Sequence, residues 1–372
     1  MVAMAEKASY LQDQDVLDFN KKIEQLHLGP LWNAIPELMH RQPTPQAVPY
    51  LWKWSKLYEI MMEARQIFTP ERGGERRAIY FQNPGLTYRK PWGWASTTQT
   101  LYAALQMIMP GETAPSHRHS QSALRFIIQG SGAFTTVQGQ RIFMNEGDFL
   151  VTPAGLWHGH AHPGTEPMLW MDALDIPTMY SIGGTFFDPY EGGLEPPSLP
   201  DDYGAQRYMG GMVRPLSDRK AQIAPVGKYV WSGTEQAIEG LSKFDPCPYD
   251  GYAVEYFNPS TGGTATPNMM TVMQKLPKGF KGKAHRHTSS VIYQVFRGSG
   301  YTVINGVRFN WSKGDFFVVP NWAWHEHVAE EDSYLFSVSD QPIMEKFNVQ
   351  REEAYEPNNG HQEVKDEFKP AE

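Results

Sequence analysis

The pattern of apolar and polar positions changes character along the chain. Up to about residue 85, apolar residues recur near helical spacing. In Asp15-Val16-Leu17-Asp18-Phe19-Asn20-Lys21-Lys22-Ile23-Glu24-Gln25-Leu26 they keep to one face, and Gly29-Pro30 stops the run. After Pro49, residues Trp52, Trp54, Leu57, Ile60 and Met61 predict a second amphipathic helix. Such a stripe packs on a core or on another subunit. From about 97 to 180 the period shortens to two. Leu124-Arg125-Phe126-Ile127-Ile128 reads as a strand. Gln138-Gly139, between Thr135-Thr136-Val137 and Arg141-Ile142-Phe143, predicts a hairpin turn. Glu146-Gly147-Asp148 predicts another turn before Phe149-Leu150-Val151.

The same text then recurs. Gly111 with His117-Arg118-His119 returns as Gly279 with His285-Arg286-His287, an offset of 168 residues. Gly130-Ser131-Gly132 returns as Gly298-Ser299-Gly300 at the same offset. At an offset of 167, Gln138-Gly139 returns as Asn305-Gly306, Gly147-Asp148-Phe149 as Gly314-Asp315-Phe316, and His158 as His325. A duplicated all-β domain is therefore expected. The division is a helical arm over 1–95, a first β domain over 96–182, a crossover over 183–262 and a second β domain over 263–345. The crossover is marked by Gly192-Gly193, Pro196-Pro197 and Pro200. The polar stretch 346–372 is expected to be a loose tail.

Composition narrows the classes. With 41% hydrophobic and 20% charged residues in 372, the chain can bury real cores and is not a disordered type. A net charge of -8 gives no general footprint for nucleic acid. A single cysteine, Cys247, excludes a disulfide framework and any multi-cysteine metal site. No apolar run approaches the ~18 residues of a membrane span, and the start lacks an apolar signal core. No membrane association and a cytoplasmic location are expected.

Of 12 histidines, nine fall in four windows: His117 and His119; His158, His160 and His162; His285 and His287; His325 and His327. On a strand, residues two apart point the same way, so His117 and His119 can share a pocket while Arg118 faces away. His158, on a later strand, can complete a three-imidazole site. Such a set suits iron, copper, zinc or nickel and leaves coordination positions open. The plainer alternative is a hydrogen-bonded polar core. Two copies of His-x-His plus a third histidine favour the metal.

Gly111, His117-x-His119, Gly147 and Pro153-x-Gly155-x-x-His158 resemble the two motifs of the cupin superfamily. They recur from Gly279 to His325, with Trp322 in a usual glycine position. The resemblance implies a bicupin: two double-stranded β-helix, or jelly-roll, barrels. Many cupins carry a Glu ligand shortly after His-x-His, but here Ala123, Leu124, Val291 and Ile292 stand in that region. That departure disfavours an oxalate-type decarboxylase or oxidase. Six retained histidines disfavour a storage or sugar-binding bicupin.

A more specific likeness is to the gentisate, salicylate and 1-hydroxy-2-naphthoate ring-cleaving dioxygenases. It is carried by Val48-Pro49-Tyr50-Leu51-Trp52-Lys53-Trp54, Gly73-Gly74-Glu75-Arg76-Arg77 and the segment from Glu112 to Gln121. His158-Gly159-His160, Asp172-Ala173-Leu174-Asp175-Ile176-Pro177 and Ser339-Asp340-Gln341-Pro342-Ile343-Met344 extend it. The likeness implies Fe(II) on His117, His119 and His158, an aromatic hydroxy-carboxylate substrate with O2, and a homotetramer.

By position, the likeness also assigns roles in the pocket. Arg125, six residues past His119 and expected on the same side of that strand, would pair with the substrate carboxylate, aided by Arg76. His160 would hydrogen-bond substrate or the reacting oxygen. Gln106 and Asp172 would line the pocket. Tyr102 and Ala104 resemble gentisate enzymes, where salicylate-type members carry Trp and Gly. Cleavage of gentisate to maleylpyruvate is expected, with salicylate or 1-hydroxy-2-naphthoate as the alternative substrate. In the second copy His285, His287 and His325 could hold another metal. Tyr293 stands where Arg125 does, so the first copy is expected to do the chemistry.

Overall fold

Alternation of inward and outward side chains, broken by register shifts in four strand pairs, builds two jelly-roll sandwiches from the duplicated text. This computed structural model describes residues 10–73, 77–86, 96–220 and 226–371. Contacts divide the chain into two units, 1–44 and 45–372. In the smaller unit, α1 (Gln14–Glu24) buries no residue. It is joined to α2 (Leu31–Leu38) by Phe19 against Trp32 and by a hydrogen bond from Trp32 Nε1 to Asn20.

The larger unit holds the strands. Ahead of the first repeat lie β1 (Tyr50–Trp52), the helix α3 (Trp54–Ile67) and β2 (Ala78–Tyr80). The repeat supplies β3 (Tyr102–Ile108), β4 (Thr113–His119), β5 (Ala123–Gln129), β6 (Ser131–Val137) and β7 (Gln140–Asn145). It continues with β8 (Phe149–Thr152), β9 (His158–Ala161) and β10 (Met168–Leu174). The crossover adds β11 (Phe187–Pro189), β12 (Lys228–Tyr229), the helix α4 (Trp231–Leu241) and β13 (Tyr252–Glu255). The second repeat supplies β14 (Met270–Leu276), β15 (His285–His287), β16 (Val291–Arg297), β17 (Ser299–Ile304) and β18 (Val307–Ser312). It ends with β19 (Phe316–Val319), β20 (His325–Ala329) and β21 (Ser333–Ser339). The last segment forms β22 (Glu352–Ala354) and β23 (Asp366–Glu367).

The first sandwich pairs a sheet of order β12-β8-β5-β10-β3-β2 with one of order β11-β4-β9-β6-β7. The second pairs β1-β19-β16-β21-β14-β13 with β22-β15-β20-β17-β18-β23. One side of each long sheet faces its own interior. Ile127, Leu150 and Trp170 fill the first, and Val295, Phe317 and Leu335 fill the second. The opposite sides pack against each other through Leu124, Phe126 and Phe149 on one side and Phe296, Phe316 and Phe336 on the other. Phe126 stacks on Phe336 at 4.3 Å and 8°. At about 1.5–3 kcal/mol per fully buried large apolar side chain, this seam joins the repeats firmly.

The expected hairpin turn is present. Gln138 (φ 51°) and Gly139 (φ 72°) both take positive φ, as do Asn305 (φ 50°) and Gly306 (φ 81°), which a two-residue I′ turn requires.

Three expectations need correction. Trp52 is not helical: β1 extends the second repeat's sheet through Leu51 opposite Phe317. Helix α3 begins at Trp54, whose N–H bonds the Asp315 carboxylate, and it buries Leu57, Met61 and Ala64. Three alternating residues are too short a run to declare a period. The helical arm also ends early, because residues beyond 45 belong to the larger unit. Nor is 346–372 a loose tail. Strand β22 pairs with β15, β23 runs parallel to β18, and Phe368 stacks on Phe309 at 4.7 Å. Edge pairing uses backbone N–H and C=O groups, to which a polar composition is indifferent. Among the described residues, no helix is long and apolar enough to cross a membrane.

Candidate metal centre and its surroundings

Strand register brings the first triad together. His117 on β4 lies directly opposite His158 on β9, and His119 follows two residues on. One ligand nitrogen from each falls within 4.8 Å of the others. The ring centroids are 4.2 Å apart for His117 and His158, 4.8 Å for His119 and His158, and 5.3 Å for His117 and His119. The Nδ1 atoms of His158 and His119 each sit 2.9 Å from a backbone carbonyl, of Leu156 and Gln121. A carbonyl can only accept, so the proton sits on Nδ1 and the Nε2 lone pair is offered inward. His158 Nε2 is buried without a hydrogen-bond partner. Burial, then the Arg125 guanidinium, His117 and His119, hold His158 well below the usual imidazole range. It is therefore neutral, the form that ligates. The donor set fits a divalent transition ion with open positions.

Arg125 is where the reasoning from spacing fails while the residue stays relevant. It does not share a strand with His119: β4 ends at His119 and Arg125 lies on β5. The residue is 3% exposed. Its Nη1 donates to Thr152 Oγ1 at 2.5 Å, and Nε lies 3.2 Å from Asp172 Oδ1, an ion pair outside hydrogen-bond alignment. Burial works against the arginine charge, and Asp172 supports it.

Register explains the rest of this wall. Arg125, Asp172, Ala104 and Tyr80 lie side by side across β5, β10, β3 and β2, so their side chains share a face. Tyr102 and Gln106 flank Ala104 at i±2 on β3 and share that face. Tyr102 stacks on Tyr80 at 5.4 Å, and burial, Asp172 and Tyr80 push its hydroxyl pKa far up. His160, two residues past His158, is buried with its ring 5.3 Å from Trp170. Arg76 lies outside the described residues. Its neighbour Arg77 is no surface cation: it is buried and clamps both oxygens of Glu112 at 2.8 and 3.0 Å.

Reasoning from sequence missed Thr152 and Trp170. Trp170 Nε1 donates to Asp172 Oδ2 at 3.1 Å, so it holds the carboxylate that faces Arg125. Period two from Asp172 and the position just before Pro153 were the available signals.

The second triad repeats the scaffold. His285 lies opposite His325, and the ring centroids of His285, His287 and His325 are 4.4 to 5.5 Å apart. Tyr293, in the place of Arg125, stacks on Phe317 at 4.7 Å and meets the edge of His327 at 5.0 Å. Ser337 faces it where Asp172 faces Arg125.

The cupin domain family matches residues 104–176 and 272–338. A 5-aminosalicylate 1,2-dioxygenase of Comamonas sp is 36% identical over 97% of this chain and 95% of its own length. Gentisate 1,2 dioxygenase 1 of Aquipseudomonas alcaligenes is 37% identical over 90% of this chain and 95% of its own. The chain belongs to the bicupin ring-cleaving 1,2-dioxygenases. The solved salicylate 1,2-dioxygenase of Pseudaminobacter salicylatoxidans, in a structure of its gentisate adducts, superposes with a TM-score of 0.86. It shares 34% identity over 93% of this chain and 96% of that one. The expected fold class holds, and the protein is an oxidoreductase; the storage and decarboxylase readings fall away. In this ring-cleaving dioxygenase each triad is able to bind metal.

Proposed function

We propose that this dioxygenase uses Fe(II) on His117, His119 and His158 to cleave gentisate (2,5-dihydroxybenzoate) between its carboxyl-bearing and adjacent hydroxyl-bearing carbons, giving maleylpyruvate. Bound iron supplies the Lewis-acid and redox centre that brings the ring and O2 together. The observation that carries this reading is Arg125, a buried guanidinium close enough to His158 to depress its protonation.

A carboxylate entering beside the triad meets the guanidinium in a site from which water is largely excluded, where charge-assisted bonds are strong. Nε faces Asp172 and Nη1 binds Thr152, so the fork keeps further N–H groups for the substrate. Asp172, Thr152 and Trp170 hold it in place, which fixes the substrate ring and the bond to be broken. Arg76 is the proposed second partner of the carboxylate. His160, on the same strand face as His158, is the proposed proton donor near the reacting oxygen. Tyr102 keeps its proton through the working pH range because burial and Asp172 oppose ionisation. Its hydroxyl can donate to a polar group on the ring, while Ala104 and Gln106 line the remaining wall. The active enzyme is proposed to be a cytoplasmic homotetramer.

A second reading is cleavage of salicylate, a 5-substituted salicylate or 1-hydroxy-2-naphthoate. The 5-aminosalicylate relative, matched over 97% of this chain, favours the 5-substituted class. Oxygen uptake by anaerobically iron-loaded protein, with gentisate, salicylate, 5-aminosalicylate and 1-hydroxy-2-naphthoate in parallel, separates these readings. Highest kcat/KM on gentisate is expected. Higher kcat/KM on another ring would replace the substrate, and no uptake on any would end the proposal.

A further inference from the structure

One ligand of the first triad is braced through a peptide unit. His119 Nδ1 lies 2.9 Å from the Gln121 carbonyl. The other end of that same peptide unit, the Ser122 N–H, donates to Asp175 Oδ1 at 3.0 Å. A peptide unit is planar, so fixing its N–H fixes the direction of its C=O. Asp175 is fully buried, between β10 and the short helix Ile176–Ser181. A carboxylate on the N–H also polarises the amide, and hydrogen bonds in such a chain strengthen one another. Asp175, acting through the peptide, is thus placed to do what a carboxylate bonded directly to a ligating histidine does. It orients the ring and raises the basicity of Nε2.

The second repeat completes this brace. Asn268 Nδ2 donates to Asp175 Oδ2 at 2.8 Å. Asn268 stands just ahead of β14, the first strand of the second repeat. Its loop is held by a bridge between Thr266 and Met269, both buried, and by Thr264 Oγ1 donating to the Thr266 carbonyl at 2.6 Å. At the 168-residue offset of the His-x-His motifs, Thr100 of the first repeat is the counterpart of Asn268. Thr100 Oγ1 donates to Asp340, and Asp340 accepts the Ser290 N–H at 2.7 Å. The carbonyl of that peptide, on Ser289, lies 2.8 Å from His287 Nδ1. Each repeat therefore lends one side chain to a carboxylate of the other. The donor is an amide in one case and a hydroxyl in the other, while the arrangement is the same.

We propose that Asp175 and Asn268 are positioning residues for His119, and that the second repeat takes part in ring cleavage by aiming this ligand from across the seam. This role rests on the first triad being the metal centre of the reaction. Neither residue touches substrate.

The test isolates the first triad in the full chain by a His325→Ala background, or His325→Gln should the alanine not fold. The protein is stripped of metal. Zn(II) affinity is then read by chelator competition, and the ligand geometry by the visible absorption of bound Co(II). Asp175→Ala should weaken Zn(II) about 10- to 100-fold, the usual cost of losing an outer partner. Asn268→Ala should weaken it about 3- to 10-fold and shift the Co(II) absorption, a smaller effect because it acts through Asp175. The exchange of Asp175→Asn with Asn268→Asp keeps an amide against a carboxylate and should recover most of both losses. On iron-loaded enzyme with His325 intact, Asn268→Ala should lower kcat and leave the KM for gentisate within about threefold, because Arg125 is untouched. Unchanged Zn(II) affinity and Co(II) absorption in Asn268→Ala would overturn the brace. An exchange that recovers neither would mean a loss of packing and would overturn it too. A loss confined to KM would overturn the role in cleavage. The metal readings need no turnover, so inactivity toward every ring would end the functional reading and leave the brace to be judged on metal alone.

Discussion

Beside His158 stand Arg125, Asp172 and Thr152; beside His325 the equivalent positions hold Tyr293, Ser337 and Val319. The scaffold, strand register and three imidazoles are the same. In the first barrel a guanidinium is buried at the cost of desolvation and is supported by one carboxylate. In the second the same positions hold the uncharged Tyr293 and Ser337, and the acidic groups approach from outside the repeat. A barrel that retains its histidines thus keeps the means to hold an ion. Activity toward an aromatic carboxylate asks for a cation as well, and side chains on a neighbouring sheet decide that. On the proposed assignment of chemistry to the first repeat, fold and function separate within one chain.

The sharpest way to break this comparison is to remove equivalent ligands. His158→Ala should abolish ring cleavage, by well over the ~100-fold that loss of even an outer partner can cost. His325→Ala should leave kcat/KM within about threefold when assayed on folded, iron-loaded protein. Equal losses in both would mean that both barrels turn over substrate.

Arg125→Gln removes the cation that faces Asp172. Loss of a charge-assisted bond worth about 1.5–3 kcal/mol predicts a fall in kcat/KM of about 10- to 150-fold. Stability should fall as well, because a buried carboxylate loses its counter-charge. Adding Asp172→Asn should restore most of the stability, read by urea unfolding, and none of the activity.

The reverse exchange tests the second barrel. Tyr293→Arg places an unpaired cation among Phe317 and His327 and should cost about 3–5 kcal/mol in unfolding free energy. Ser337→Asp, which recreates the cross-strand pair, should recover part of that loss.

A last, pH-dependent effect concerns twin carboxylates. Asp175 accepts the Ser122 N–H and Asp340 accepts the Ser290 N–H, each bracing the turn after its His-x-His. Burial pushes Asp340 up to about 6, against hydrogen bonds from Thr100 and Ser290. A raised folded-state pKa means the native state holds the proton more tightly. That contribution is complete below about pH 4 and is lost as pH rises through 6. Asp340→Asn, a mimic of the protonated form, should therefore gain stability relative to wild type between pH 4 and 8, by up to about 3 kcal/mol. A constant difference across that range would contradict the shift.

Much of the fold was legible. The offset of 167–168 residues, the Gln138-Gly139 turn and the two His-x-His strands follow from spacing that local backbone geometry enforces. The triads were legible for the same reason, since period two puts His117 and His119 on one face. Strand β1 was not, because its stability comes from pairing with Phe316, Phe317 and Val318, more than 260 residues away. The C-terminal strands escaped notice in the same way. Nothing in Glu352-Glu353-Ala354 announces a strand until β15 offers its edge.

The sequence by itself determined the duplication, the all-imidazole donor sets and the exchange of Arg125 for Tyr293. Those are properties of residue type and of spacing along one strand. Tertiary structure alone decided that Arg125 faces Asp172 and Thr152, that Trp170 holds Asp172, and that Glu352 reaches His285. Each of these depends on which strands become neighbours and in what register. Register is selected by burial of whole faces across the sandwich, a long-range choice that no local window contains.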